Sequence, residues 1–132
     1  MSKVNGGQLV IRALKQEGIE CIFALCGRDI DPILQGCMDE KVRLIDTRHE
    51  QAAAFMAEGW ARATGQPGIA AVTGGPGVTN AVTSLWNASE SLSPTIVIGG
   101  GNPQSEMALG AFQDLDSLSL VSSITKWRQG SY

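Results

Sequence analysis

Gly68-Ile-Ala-Ala-Val-Thr-Gly-Gly-Pro-Gly-Val-Thr-Asn80 is the stretch that decides how this 132-residue chain folds. Gly68 to Thr73 is an uncharged apolar run, short enough for a strand buried on both faces. The glycines and Pro76 then mark a tight turn, and Val78 to Ser89 continues as a helix. Two readings of the turn stand side by side. It is either a plain strand-to-helix corner, or a place where glycines let a ligand approach the backbone beside free helix N–H groups. It is not a Walker loop, since no Gly-Lys-Ser/Thr follows, and it lacks the G-x-G-x-x-G spacing of a dinucleotide site.

The same alternation extends in both directions. Upstream, Leu9, Val10, Ala13 and Leu14 recur at helical spacing and stop at Gly18, followed by the strand-like run Cys21 to Leu25. Ile30 to Met38 predicts a second helix, Val42 to Ile45 a second strand, and Glu50 to Thr64 a long helix closed by Gly65. Downstream, Thr95 to Ile98 predicts a fourth strand and Asn102 to Ala111 a loop. Asp116 to Val121 then predicts a short helix and Ile124 to Arg128 a last strand. Strands apolar throughout, alternating with helices, predict an open parallel sheet with helices on both faces: a three-layer α/β domain with right-handed crossovers. The order of the strands does not follow from the sequence.

Composition narrows the function classes. With 43% hydrophobic and 17% charged residues, the chain reads as one ordinary globular domain over 1–132. Its net charge of −3 and scattered basic residues argue against a nucleic-acid surface, which needs clustered Lys and Arg. No apolar run approaches membrane-spanning length, and the N-terminus has no signal-like core, so the expected location is the cytoplasm. Cys21, Cys26 and Cys37 show no C-x-x-C spacing and the only histidine is His49, so no metal site is expected.

Several residues could carry chemistry. Glu50 follows the second strand and opens the long helix, at the edge of the sheet where ligands of open α/β folds bind. Ala52 to Ala57 and Trp60 surround it with apolar matter. A carboxylate there is poorly solvated, as a proton-relaying acid requires. Thr47-Arg-His-Glu50 is equally a T-x-x-E capping box, in which Glu50 only reaches back to the Thr47 amide. Asp29, in Cys26-Gly-Arg-Asp29, reads either as half of an exposed pair with Arg28 or as a proton-handling group. Glu58 and Arg62, four apart, predict a surface helix pair. Gln113 and Asp114 fall in an unpatterned segment and mean little alone.

Taken in order, Thr47-Arg-His-Glu-Gln-Ala-Ala-Ala54, Gly59-Trp-Ala-Arg62, Thr64-Gly65, Gly68 to Thr73, Gly75-Pro-Gly-Val-Thr-Asn80, Ala111-Phe-Gln113 and Ile124-Thr-Lys-Trp127 resemble one family. It is the N-terminal pyrimidine-binding domain of the acetolactate synthase-like thiamine diphosphate enzymes. The resemblance implies that Glu50 hydrogen-bonds N1′ of the cofactor's aminopyrimidine ring, the contact that promotes loss of the thiazolium C2 proton. It places Gly75, Pro76, Gly77 and Asn80 beside the pyrimidine, with Cys26 and Gly27 in the neighbouring loop. It points Gln113 toward the substrate, expected to be a 2-keto acid, an aldehyde or a 2-hydroxyacyl thioester. The diphosphate and its Mg²⁺ are held in such enzymes by a separate domain with a Gly-Asp-Gly…Asn motif, absent from this sequence. FAD, carried by some relatives, has no support in these residues.

Two departures stand out. Many relatives carry Gly-x-Pro-Gly after the first strand, where this chain reads Leu25-Cys-Gly-Arg-Asp-Ile-Asp31. That wording is nearer the benzaldehyde lyase and 2-hydroxyacyl-CoA lyase-like branch, whose loop carries histidines; Asp29 is the candidate replacement. The family domain also continues with a further helix and strand. The resemblance therefore implies a domain cut short, part of a longer polypeptide acting as a homodimer or homotetramer. The alternative is a non-catalytic remnant or assembly subunit that kept the fold.

Overall fold

The computed structural model describes residues 4–130. Four parallel strands, β1 (Cys21–Ala24), β2 (Arg43–Asp46), β3 (Gly68–Val72) and β4 (Thr95–Gly99), form one sheet in the order β2-β1-β3-β4. The helices are α1 (Gly6–Gln16), α2 (Asp31–Glu40), α3 (Glu50–Thr64), α4 (Pro76–Glu90) and the single turn α5 (Ser117–Leu120). The expected three-layer α/β architecture is the one found. No helix among the described residues is long and apolar enough to cross a membrane.

The two central strands explain the apolar runs. Every residue of β1 and β3 is buried, and their side chains alternate between two cores. Ile22, Ala24, Ile69 and Ala71 face Ile11, Ile33 and Cys37 of α1 and α2. Cys21, Phe23 and Ala70 face Ala53, Ala54, Ala57 and Ala81 of α3 and α4. The second layer is built of alanine, so α3 lies close to the sheet. Gly68 makes this possible, because a methyl group there would overlap the Ala57 carbonyl.

The order in which strands are added reverses between β1 and β3: β2 lies on one side of β1, and β3 and β4 on the other. The loops leaving the carboxyl ends of β1 and β3 part there and open the crevice where ligands bind in such sheets. The α3 N-terminus comes to the same edge, because β2 ends level with β1, pairing Asp46 with Ala24.

The first predicted helix is found but buries a residue other than those that marked it, and two expectations need correction. In α1 the buried apolar residue is Ile11, while Leu9 and Val10 are exposed. The helix rests instead on Gly7, which abuts the Pro32 backbone. Glu58 is no surface residue. It is 3% exposed, in the seam between α3 and α4, and both its oxygens accept from Asn87 Nδ2 at 2.8 Å. Arg62 Nη1 reaches it at 3.4 Å from the solvent side. Ile124 to Arg128 is not a strand. Thr125 Oγ1 donates back to the Val121 carbonyl, continuing the turn after α5, and a groove of about 750 Å³ runs between this segment, α4 and β4. A fifth strand would need a backbone partner on that side, and among the described residues β4 pairs only with β3.

Candidate active site at the carboxyl edge of the sheet

Thr47 does not cap α3. Its hydroxyl lies against the Ala24 and His49 carbonyls, fastening the β2–α3 corner to the end of β1. The cap is His49, whose Nδ1 accepts from the Gln51 amide. Glu50 is thereby freed from the capping box and turns inward. It is 9% exposed, and its Oε2 accepts from Asn80 Nδ2 at 2.9 Å. Oε1 accepts no hydrogen bond among the described residues and lies 3.6 Å from where a Gly77 Cβ would stand. A buried carboxyl held at one oxygen and open at the other, beside a residue without a side chain, is set up to meet one further donor.

The glycine-rich turn has two jobs. Gly75 adopts φ +55, which favours glycine, and a methyl group there would come within 2.7 Å of the Gln113 carbonyl. Gly77 is buried in the first turn of α4 between Thr73 and Glu50. The closeness expected for a ligand is thus spent partly on the protein itself. A Gly27 Cβ would meet Thr73 at 2.5 Å, and a Gly100 Cβ would meet Asp29 at 2.5 Å. Pro76 and Asn80 are exposed along the opening, as is Cys26.

Asp29 is not half of an exposed pair. Its side chain is 5% exposed while that of Arg28 is 68% exposed. Oδ2 lies 3.2 Å from Thr73 Oγ1 and 3.4 Å from the Gly74 amide. Gln113 Oε1 stands 3.3 Å from the same Thr73 hydroxyl. Asp29, Thr73 and Gln113 therefore form one cluster, and the methyl of Thr73 faces Gly77 and, through it, Glu50. Thr73 was missed as a site residue. The available signal was its place as the polar residue directly after a buried strand, at the start of the turn. Arg48 and His49 face outward, and Asp114 joins no side-chain hydrogen bond among the described residues.

Residues 4–120 match the family described as thiamine pyrophosphate enzyme, N-terminal TPP binding domain. The chain belongs to this family. This thiamine pyrophosphate-binding domain is 42% identical over 124 residues to a probable acetolactate synthase of Mycobacterium bovis, covering 94% of the chain and 23% of that protein. It is also 42% identical to 2-hydroxyacyl-CoA lyase 2 of Danio rerio and of Homo sapiens, over 123 residues in each, covering 93% of the chain and 20% of each lyase. The domain thus spans about a fifth of the length of the curated relatives it matches.

The donor set fits the pyrimidine end of the cofactor. A free oxygen on a largely buried carboxyl suits a ring nitrogen that carries or shares a proton, and Gly77 leaves the space beside it unfilled by a side chain. The diphosphate end is another matter. Among the described residues no group of three or more His, Cys, Asp or Glu stands together to hold a metal ion.

Proposed function

We propose that this domain activates thiamine diphosphate through Glu50, within an enzyme that makes or breaks a carbon–carbon bond next to a carbonyl. One observation carries the reading: the Glu50 carboxyl is buried, tethered by Asn80 and, among the described residues, without a partner at Oε1 beside Gly77. A carboxyl serving only as a cap or a surface charge has no reason to keep an oxygen inward and unpaired. For the same reason a purely structural remnant is the poorer account.

The cofactor, when bound, supplies a nucleophilic carbon and an electron sink for the reacting carbonyl. With it bound, Glu50 would hold and move a proton at N1′ of the pyrimidine. Asn80 fixes the carboxyl through Oε2, so that Oε1 is the atom presented. The turn at Gly75, Pro76 and Gly77 admits the edge of the ring, with Cys26 and Gly27 bounding it across the crevice. Gln113 and Asp29 lie on the substrate side, reached past Thr73. Binding of Mg²⁺ and the diphosphate falls to another domain. The site then forms where two chains meet, as a homodimer or homotetramer would provide. The names of the relatives favour a 2-keto acid or a 2-hydroxyacyl thioester as substrate.

Glu50→Gln tests the assignment in the holoenzyme. The amide keeps the shape and loses the proton-relaying carboxyl, so exchange of the cofactor's C2 proton for deuterium should slow by at least about 100-fold. Circular dichroism should stay unchanged. An exchange rate within a few-fold of the parent would overturn the assignment.

A further inference from the structure

Thr73 faces a conflict that the site geometry has to resolve. Its hydroxyl lies 3.2 Å from Asp29 Oδ2 and 3.3 Å from Gln113 Oε1, and both are acceptors. A hydroxyl has one proton to donate, so it cannot serve both. Asp29 is the fixed member. Its Oδ1 accepts from Arg28 Nε at 3.3 Å and its Oδ2 from the Gly74 amide at 3.4 Å. A carboxylate loaded with donors in this way takes the Thr73 proton as well. An amide, in contrast, exchanges its oxygen and nitrogen by a half-turn without changing shape. That half-turn at Gln113 removes the conflict: Nε2 donates to Thr73 Oγ1, which donates in turn to Asp29.

We propose that Thr73 and Asp29 are positioning residues that fix the polarity of the Gln113 amide, leaving its carbonyl oxygen to face the crevice. The backbone supports a fixed side chain here. Gln113 sits at φ +60, a conformation that non-glycine residues rarely adopt and that persists only where the surroundings impose it. The segment is pinned next door, where the Phe112 carbonyl accepts from Asn102 Nδ2 at 3.0 Å. The outward amide atom of Gln113 has no protein partner among the described residues and is not buried. Resting on the cofactor reading above, this makes the substrate side of the site an acceptor. It favours a substrate or intermediate that offers a hydroxyl or N–H at this point over one that offers only a carbonyl oxygen.

The test is made on the whole protein by NMR and thermal denaturation. In the parent, the Gln113 side-chain NH₂ should show cross-relaxation to the Thr73 methine proton. Its absence in a folded sample, with the NH₂ directed to solvent, would overturn the proposal without any variant. Gln113→Glu sets two acceptors against one hydroxyl proton and should lower Tm by roughly 5 °C or more. Were Oε1 the accepting atom instead, the NH₂ would show no cross-relaxation to Thr73, and Gln113→Glu would lose only what repulsion from Asp29 costs. In an Asp29→Asn background the introduced amide can donate to Thr73, and at least half of the Gln113→Glu loss should return. Losses that simply add would refute a directed chain and leave a merely structural cluster. None of these readouts depends on cofactor, so failure here leaves the Glu50 assignment standing, and normal exchange in Glu50→Gln leaves the chain of hydrogen bonds standing.

Discussion

Asn87→Leu strips Glu58 of its main partner in the seam between α3 and α4. The carboxylate is 3% exposed, and both its oxygens lie 2.8 Å from Asn87 Nδ2 in a three-centre hydrogen bond. Hydrogen bonds to a charged group contribute about 1.5–3 kcal/mol each. The shared donor counts as one strong bond, at the top of that range, and Arg62 still reaches Oε1 at 3.4 Å and can swing further in. A loss of about 3 kcal/mol is expected, which for a chain of this size lowers Tm by roughly 12 °C. Urea denaturation followed by circular dichroism measures it, with an unchanged slope confirming that stability alone has moved. The paired variant Glu58→Leu/Asn87→Leu should recover most of the loss, since replacing both partners leaves no orphaned charge. A single-variant loss below about 1 kcal/mol, or a double variant no better than Asn87→Leu, would refute the reasoning.

Gly68→Ala should destabilise by about 3 kcal/mol on denaturation, because the new methyl drives α3 off the sheet at the Ala57 carbonyl. It should also slow cofactor C2 exchange, since Glu50 begins that helix. Under native conditions a thiol reagent should label Cys26 quickly and Cys21 and Cys37 only on unfolding: Cys26 is exposed, while burial pushes the two inner thiols above the usual range. Asp39 is held below the ordinary carboxylate range by hydrogen bonds from Gln8 and then Gln35. Its contribution is therefore present above the unfolded carboxylate pKa and is lost as pH falls through the lower folded value. A carboxyl NMR titration should place it there, and Gln8→Leu should move it back up.

The central fold was legible because β1 and β3 are covered on both faces and carry no polar residue to confuse the pattern. Helix α3 was predicted from Glu50 to Thr64 and is found there, since the Gly65 left-handed cap is a strong stop signal. What could not be read depended on contacts distant in sequence. Asn80, Ser84 and Asn87 form a polar row along α4 that meets Glu50, the Gln51 carbonyl and Glu58 in turn. Nothing in the spacing of Glu58 and Arg62 reveals that row, so the pair looked like surface charge. Thr47 and Glu50 have the right separation for a capping box, and only the Ala24 carbonyl, 23 residues away, draws the hydroxyl elsewhere. Asp29 looked exposed for a similar reason, because its cover comes from Gly74 and Gly100.

The alanine lining beneath α3 gives the catalytic edge a mechanical sensitivity that its chemistry alone does not suggest. With Ala53, Ala54, Ala57 and Ala61 buried along its inner side, this helix has little soft side-chain matter to absorb a push. From Glu58 to Glu50 is roughly 12 Å along the axis, so a tilt of about 5° swings the free carboxyl oxygen by about 1 Å. Displacement on that scale can change a reaction rate by about 100-fold. On the proposed role of Glu50, one added methyl deep in the layer, two helical turns away, would slow proton transfer as surely as a change at the carboxyl itself.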